Sequence, residues 1–383
     1  MVTRKPPTAI PTPVIERVEV FQVRVPRLQR NRITTSYGTL PDAHHALVLI
    51  HAGGLTGVGE APAELWWTGE DAAGVCGAVS RYLAPALVGH AVGPREAAHR
   101  MNAALASNPY AKAAVEMAVW DITAKLSRVP LYRLLGAGVA QPVPVKYVIG
   151  IVDDEHAREE ARWALNAGFG HLKVKVGGEL KADVRRVRAV IDAAAEVPVG
   201  VDANEGWDVP TAIRAADELD ELGVSFIEQP VSRAFEDALA ELTARIRAPI
   251  VLHESLHTVQ DAARCARNRT GRIWAVTPPA HGGLVNTLDI LAIARTGGFP
   301  CLIGSTVELG VATAFMAHIA ASDPNIASCP VPSDIIGPLY HEADIVVRQP
   351  RIEAGVVHAP EAPGLGVDLD DDLVREFRVG TAA

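Results

Sequence analysis

A chain of 383 residues, 49% of them hydrophobic, can bury one large core and still leave roughly a hundred residues for a second domain. Its formal charge of −9 and the lack of any Lys/Arg-rich block exclude the positive field that nucleic acid or an anionic membrane requires, so an anionic substrate must meet local cations. No apolar run is long enough for a transmembrane helix, and the cysteines, Cys76, Cys265, Cys301 and Cys329, form no C-x-x-C pair, which suits reduced thiols in a cytoplasmic protein.

Residues 1–13, MVTRKPPTAIPTP, are Pro-rich without an apolar leader stretch and predict a disordered tail. From Val14 to about Ala61 the pattern is that of strands: ERVEVFQVRV alternates, and ALVLIHAGG followed by LTGVGEA predicts a hairpin turning at Gly53 and Gly54. Between Gly69 and Gly136 the period becomes helical, clearest in AKAAVEMAVWDITAKL (Ala111 to Leu126), which Pro130 closes off. Residues 14–140 therefore read as an α+β capping domain.

A strand and helix repeat follows. Runs VKYVI, HLKVKV, PVGVD, SFIE, PIVLH, IWAVT and PCLIG alternate with helical stretches such as EHAREEARWALNAG and PTAIRAADELDELG, so residues 141–342 predict a parallel βα barrel. An eighth run is faint, near Ala327 to Pro330. Residues 343–383 return to short strands and turns (DIVVRQPRIEAGVV, APGLGVDLDDD) and are expected to rejoin the cap. The fold class is α/β: a modified TIM barrel, (β/α)7β, under a cap built from both ends of the chain.

Asp202, Glu228 and Glu254 each end an apolar run, and successive members are 26 residues apart. In a parallel barrel every strand ends on one rim, so three carboxylates at that spacing converge on one hard cation, Mg²⁺ or Mn²⁺. Lys173 and Lys175 in HLKVKV leave the same face of their strand, the inward one in a barrel. A lysine desolvated beside another cation has a lowered pKa and can act as a base. Bland readings exist for each residue: Asp202 as a helix N-cap, Glu228 as a surface charge, the lysines as a solvated pair on an edge strand. The combination is far more specific than any member.

These residues resemble the enolase superfamily, in the group of muconate lactonizing enzymes and mandelate racemase. The likeness extends through AKAAVEMAVWD, PLYRLLGA, KVK, VDAN, IEQP, HES, His281-Gly282-Gly283, GSTVELG, the IGP of Ile336 to Pro338 and the PGLG beginning at Pro363. It implies removal of the proton next to a substrate carboxylate while Mg²⁺ stabilises the enediolate. The metal ligands would be Asp202, Glu228 and the acid of the fifth strand. Lys175 would be the base, and Lys173 would bind the substrate carboxylate. Asn204 and Glu308 would line the pocket, and relatives are commonly dimers or octamers.

Two departures matter. The fifth strand of lactonizing-type relatives ends in Asp-Glu-Ser, whereas here it reads His253-Glu254-Ser255; Glu254 is the preferred third ligand, because Mg²⁺ takes oxygen donors, with His253 as the alternative. Relatives that work from both faces of the substrate carry a lysine at the end of strand six, where this chain has Thr277, and only His281 stands nearby as a substitute. The reading is a one-base dehydratase or cycloisomerase acting on a small organic acid: a sugar acid, a hydroxy amino acid or a dienoate. The alternatives are a two-base racemase or epimerase using His281, and a silent carboxylate-binding barrel. Specificity is expected from the loop Leu28 to Tyr37 and from Glu64 to Thr68, with Trp66 closing over the substrate. A zinc-protease reading of HESLH (His253 to His257) would need both histidines on one helix turn.

Overall fold

The structure, a computed structural model, describes residues 12–29 and 33–380. Residues 1–11 of the tail expected over residues 1–13, and Arg30 to Arg32 of the first specificity loop, lie outside the described residues. The cap opens on strand Ile15–Pro26, paired antiparallel with Asp42–Ala52, which turns at Gly53 and Gly54 into Leu55–Ala61. The helix Pro109–Ser127 packs on this sheet so closely that Gly59 has no room for a side chain: a Cβ there would lie 1.9 Å from the Ala114 carbonyl oxygen. Small residues on both elements, Gly57, Gly59, Ala114 and Ala118, make that approach possible.

The barrel strands, first to seventh, are Tyr147–Ile149, Leu172–Lys175, Val199–Asp202, Ile227–Glu228, Ile250–Leu252, Ile273–Val276 and Cys301–Ile303. Each pairs in parallel with the next, in sequence order. Short β-branched runs buried on both faces are what such strands require. Phe226, Val251, Ile273, Ala275 and Leu302 pack together in a separate buried cluster with Val331, filling the barrel's interior. Four of the barrel helices begin on their own side-chain caps: Asp153, Glu179 and Asp208 accept from backbone N–H groups of the first turn, and Thr258 with Asp261 forms a capping box. Each such cap is worth about 1 kcal/mol.

The barrel closes at a different point from the faint eighth run. Pro324–Ala327 is a helical turn. Closure falls instead on Ser333 and Asp334: Ser333 bridges Val145 in parallel, Lys146 N–H donates to the Ser333 carbonyl, and Asp334 N–H donates to Ile303. Pro330 and Pro332 both precede this stretch and deny it a longer ladder on that side. Beyond it the chain returns to the first strand of the cap, where Val23 bridges Arg378 and Val379 N–H donates to the Gln22 carbonyl.

Candidate active site

The ladder pairs Lys175 with Asp202 and Asp202 with Glu228, so one level of the barrel presents an amine and two carboxylates side by side. Lys175 Nζ donates to Asp202 Oδ2 at 2.6 Å and to Asn204 Oδ1 at 2.7 Å. One pleat lower, Lys173 Nζ lies 2.9 Å from Asp334 Oδ2, 3.2 Å from Glu228 Oε2 and 3.3 Å from Asp202 Oδ2. Burial lowers the Lys173 pKa, but Asp334, Glu228 and Asp202 outweigh it and hold the ammonium charged well above its ordinary range. Asp202 is raised by burial and lowered further by Lys175 and Lys173, with a net fall.

The fifth strand delivers both of its candidates to the same cavity. His253 continues the inward row of Val251. Its Nδ1 stands 3.0 Å from Glu228 Oε1 and its Nε2 2.7 Å from Thr277 Oγ1. Burial lowers the His253 pKa, and Glu228 and Glu254 raise it by more. Glu254 comes off the loop beyond the strand; its Oε1 accepts from Asn204 Nδ2 at 2.9 Å, and its buried Oε2 has no hydrogen-bond partner. Burial, opposed by His253 and helped by Asp202, pushes the Glu254 carboxyl up to about 7.

Among the described residues no three His, Cys, Asp or Glu side chains stand gathered as a metal cage. The ammonium of Lys173 occupies the space between Asp202 and Glu228. The donors nevertheless fit a hard divalent ion: three carboxylates at one rim, one with an unsatisfied buried oxygen and a pKa raised by crowding, which a dication relieves.

Thr277 and His281 are brought near the site but not into the cavity. His281 Nε2 accepts the backbone N–H of Thr277 at 2.8 Å, which fixes the imidazole as a neutral acceptor, and burial pushes its pKa down to about 3. Thr277 spends its hydroxyl on His253. Glu308 is also turned aside: its Oε2 accepts from Ser305 Oγ at 2.6 Å, and burial lifts its pKa to about 8. Asn204, Tyr37 and Trp66 do line the cavity, with Tyr37 and Trp66 stacked at 5.8 Å between ring centroids. Trp67 packs edge-on against His253. His253 and His257 lie on the loop between the fifth strand and the helix Val259–Asn268, so the zinc-protease geometry is absent.

Four charged residues of the site carry no motif. Asp334 reaches it from the closing rung, and Lys146, fully buried, lies 3.0 Å from Asp334 Oδ1 and donates to the Pro332 carbonyl. A lysine inside the apolar run VKYVI is the available signal for this pair. Arg27 and Glu64 enter from the cap, and burial pushes Glu64 up to about 7 against the lowering pull of Arg27 and Lys175.

Fold and site together define a class: a capped βα barrel with paired lysines and strand-end acids on one rim. The chain belongs to the mandelate racemase and muconate lactonizing enzyme group of the enolase superfamily. Residues 17–136 match the family "Mandelate racemase / muconate lactonizing enzyme, N-terminal domain", and residues 156–373 match "Enolase C-terminal domain-like". A chloromuconate cycloisomerase of Cupriavidus pinatubonensis is 31% identical over 89% of this chain and 93% of its own. The muconate lactonizing enzyme from Pseudomonas fluorescens, solved with muconolactone, superposes with a TM-score of 0.92 at 28% identity, covering 96% of this chain and all of its own. The dipeptide epimerase from Cytophaga hutchinsonii, solved with Mg and the dipeptide D-Ala-L-Val, gives 0.89 at 28% identity over 95% of this chain and 98% of its own. This protein is accordingly an enzyme of that superfamily. Among the described residues no helix is long and apolar enough to cross a membrane.

Proposed function

We propose that this enzyme moves a proton on one face of the carbon α to the carboxylate of a small organic acid, with Lys175 as the group that carries it: Lys175 removes the proton ahead of an elimination, or delivers it to the enolate left when a dienoate closes its ring. The observation that carries the reading is the one-sided placement of amines. Lys173 and Lys175 enter the cavity from one strand, while the sixth strand brings Thr277, and the nearest imidazole there, His281, is engaged with a backbone N–H.

Asp202, Glu228 and Glu254, with His253 as the alternative third donor, would hold Mg²⁺, which when bound supplies positive charge to the substrate carboxylate as negative charge develops on its oxygens. Lys173, kept charged by its three acids, presents a fixed ammonium to the same carboxylate. Asn204 orients the base by accepting from Lys175 Nζ while donating to Glu254. Trp66 and Tyr37 exclude water above the reacting carbon.

The test is proton exchange. Purified protein with MgCl₂ in D₂O, offered a panel of sugar acids, hydroxy amino acids, dienoates and dipeptides, is expected to replace the α-hydrogen of at least one acid without inverting the recovered substrate. Inversion in the recovered pool would establish a second base and overturn the one-face reading.

A further inference from the structure

Lys146 immediately precedes the first barrel strand and shares a face with Val148, which lines the active cavity. It is fully buried beneath that cavity. Its Nζ donates to the Pro332 carbonyl, stands 3.0 Å from Asp334 Oδ1 in an ion pair outside hydrogen-bond geometry, and lies 5.6 Å from the centre of the Phe226 ring. Gly200 makes room for that ring, since a Cβ there would lie 2.0 Å from Phe226 Cε1. His171, two residues before Lys173, is pushed down to about 4 by burial and then by Lys146, so it stays neutral beside this cation. Burial lowers the Lys146 pKa as well, and Asp334 raises it by less. A buried ion pair adds little to stability, because apolar residues of the same volume often serve as well. Closing the barrel therefore does not by itself call for a lysine.

What the charge does is fix Asp334. With Oδ1 facing Lys146, Oδ2 is left to Lys173 at 2.9 Å, and one carboxylate bridges two ammoniums. Of the three acids around Lys173, Asp202 and Glu228, at 3.3 and 3.2 Å, are metal donors in the reading above, and Asp334 is not. A dication on Asp202 and Glu228 repels the Lys173 ammonium, so Asp334 is then the acid that holds it. A carboxylate free to turn both oxygens onto Lys173 would draw the ammonium down into the barrel, away from the rim. We propose that Lys146 is a positioning residue: acting through Asp334, it keeps the Lys173 ammonium at the height where it meets the substrate carboxylate beside the cation. The inference rests on the reading above, which gives Lys173 that partner and gives Asp202 and Glu228 the metal.

Two calorimetric titrations of the full chain test it, one with MgCl₂ alone and one with each acid of the exchange panel in saturating MgCl₂. Lys146→Gln removes the charge but keeps a donor for the Pro332 carbonyl, so the rung can still close. This variant is expected to bind Mg²⁺ at least as tightly as wild type, because Asp334 draws Lys173 off the two metal donors, and to bind the acid about tenfold more weakly. For an acid that turns over, the same loss should appear in KM with a smaller change in kcat. Asp334→Asn should weaken Mg²⁺ binding about tenfold, since Lys173 then competes for Asp202 and Glu228. The double variant Lys146→Met/Asp334→Asn should match Asp334→Asn within about twofold, because a residue that acts through Asp334 has nothing to act on once that carboxylate is gone. It leaves no unpaired charge, so this comparison decides the matter if Lys146→Gln fails to fold. Weaker Mg²⁺ binding or unchanged acid binding in Lys146→Gln overturns the proposal, and so does a double variant restored to wild-type Mg²⁺ affinity, which would mean a charge felt directly across space. If wild type binds and exchanges no acid of the panel, the proposed reaction falls, and the Mg²⁺ titrations still decide the role of Lys146.

Discussion

Lys173 and Lys175 leave one strand two residues apart and finish in different electrostatic settings. Lys173 is enclosed by Asp334, Glu228 and Asp202, while among the described residues the Lys175 ammonium donates to Asp202 and Asn204. An ammonium gripped by three acids is a poor base, which is why the proposal assigns proton transfer to Lys175. Lys175→Ala is expected to slow α-proton exchange roughly a hundredfold or more with the fold intact; residual exchange near the wild-type rate, followed by NMR in D₂O, would remove it from the role. A second prediction separates the neighbours on the fifth strand. Glu254 has an unsatisfied carboxylate oxygen, whereas His253 already engages Thr277. Glu254→Gln should therefore weaken Mg²⁺ binding by at least about tenfold and His253→Asn by less. The reverse order in a metal titration would make His253 the third ligand. The acids and lysines of the rim were legible because strand period and pleat are local properties of the chain. Arg27 and Asp334 were not, since each is a single charge in ordinary surroundings whose partner lies far along the sequence; Lys146 was marked only by its place in an apolar run, and Glu64 only as the start of a specificity segment. His281 and Glu308 were legible as residues but not as orientations, which the backbone N–H of Thr277 and the hydroxyl of Ser305 decide.

The loops over the site are held by one junction on the barrel rim. Ser36 Oγ donates to the Asn204 carbonyl and Tyr37 OH to Glu205 Oε2 at 2.8 Å. Arg233 donates to Glu205 through its side chain and its backbone, and its Nη1 reaches the Trp67 carbonyl at 3.2 Å. Glu205 thus fastens the loop of Tyr37 directly and that of Trp67 through Arg233. Both Asn204 and Glu205 sit at positive φ, 42° and 61°, a strain of order 1 kcal/mol or more per residue that these contacts sustain. The sequence VDANEGW advertises Asp202 and Asn204, yet nothing local marks Glu205, because its partners come from the cap and from the following βα loop. Freeing the loops should mainly disturb substrate capture. Glu205→Ala is expected to raise KM roughly tenfold with a smaller change in kcat. A loss confined to kcat in steady-state kinetics would place Glu205 in the chemistry instead.

At the scale of the molecule, cap and barrel are joined by carboxylates that reach from one into the other. Glu60 of the cap hairpin accepts the N–H groups of Leu309 and Ala312 at the start of helix Gly310–Ser322, and His45 completes it. Asp121 accepts from Val58 in the hairpin and from Leu365 in the returning tail. Glu116 accepts from Trp120 and from Val285 at the start of helix Leu284–Gly297. The AKAAVEMAVWD motif is therefore a fastening between layers rather than part of the active site. Its partner Gly283 is at φ +119°, and a Cβ there would lie 2.5 Å from Glu116 Oε2, which explains the glycine of the His-Gly-Gly turn.

Burial pushes both Glu60 and Glu116 up to about 7 despite the backbone groups that favour the ionised form. A carboxyl raised on folding from about 4.5 to about 7 binds more protons in the native state across that window. Its contribution to stability is therefore full below pH 4.5, falls as pH rises through 7 and is constant above, a change on the order of 3 kcal/mol per group. Buried His45, His281 and His341, all pushed down to about 3, act in the opposite sense, costing stability as pH falls below 6.5. The wild-type melting curve alone cannot separate the two, so the informative quantity is a difference. Glu116→Gln cannot ionise, and its melting temperature relative to wild type should become more favourable by several degrees between pH 5 and pH 8. A difference that stays constant over that range would mean that the helix N-terminus keeps Glu116 ionised throughout, and that the junction of cap and barrel is held by charge rather than by a buried neutral acid.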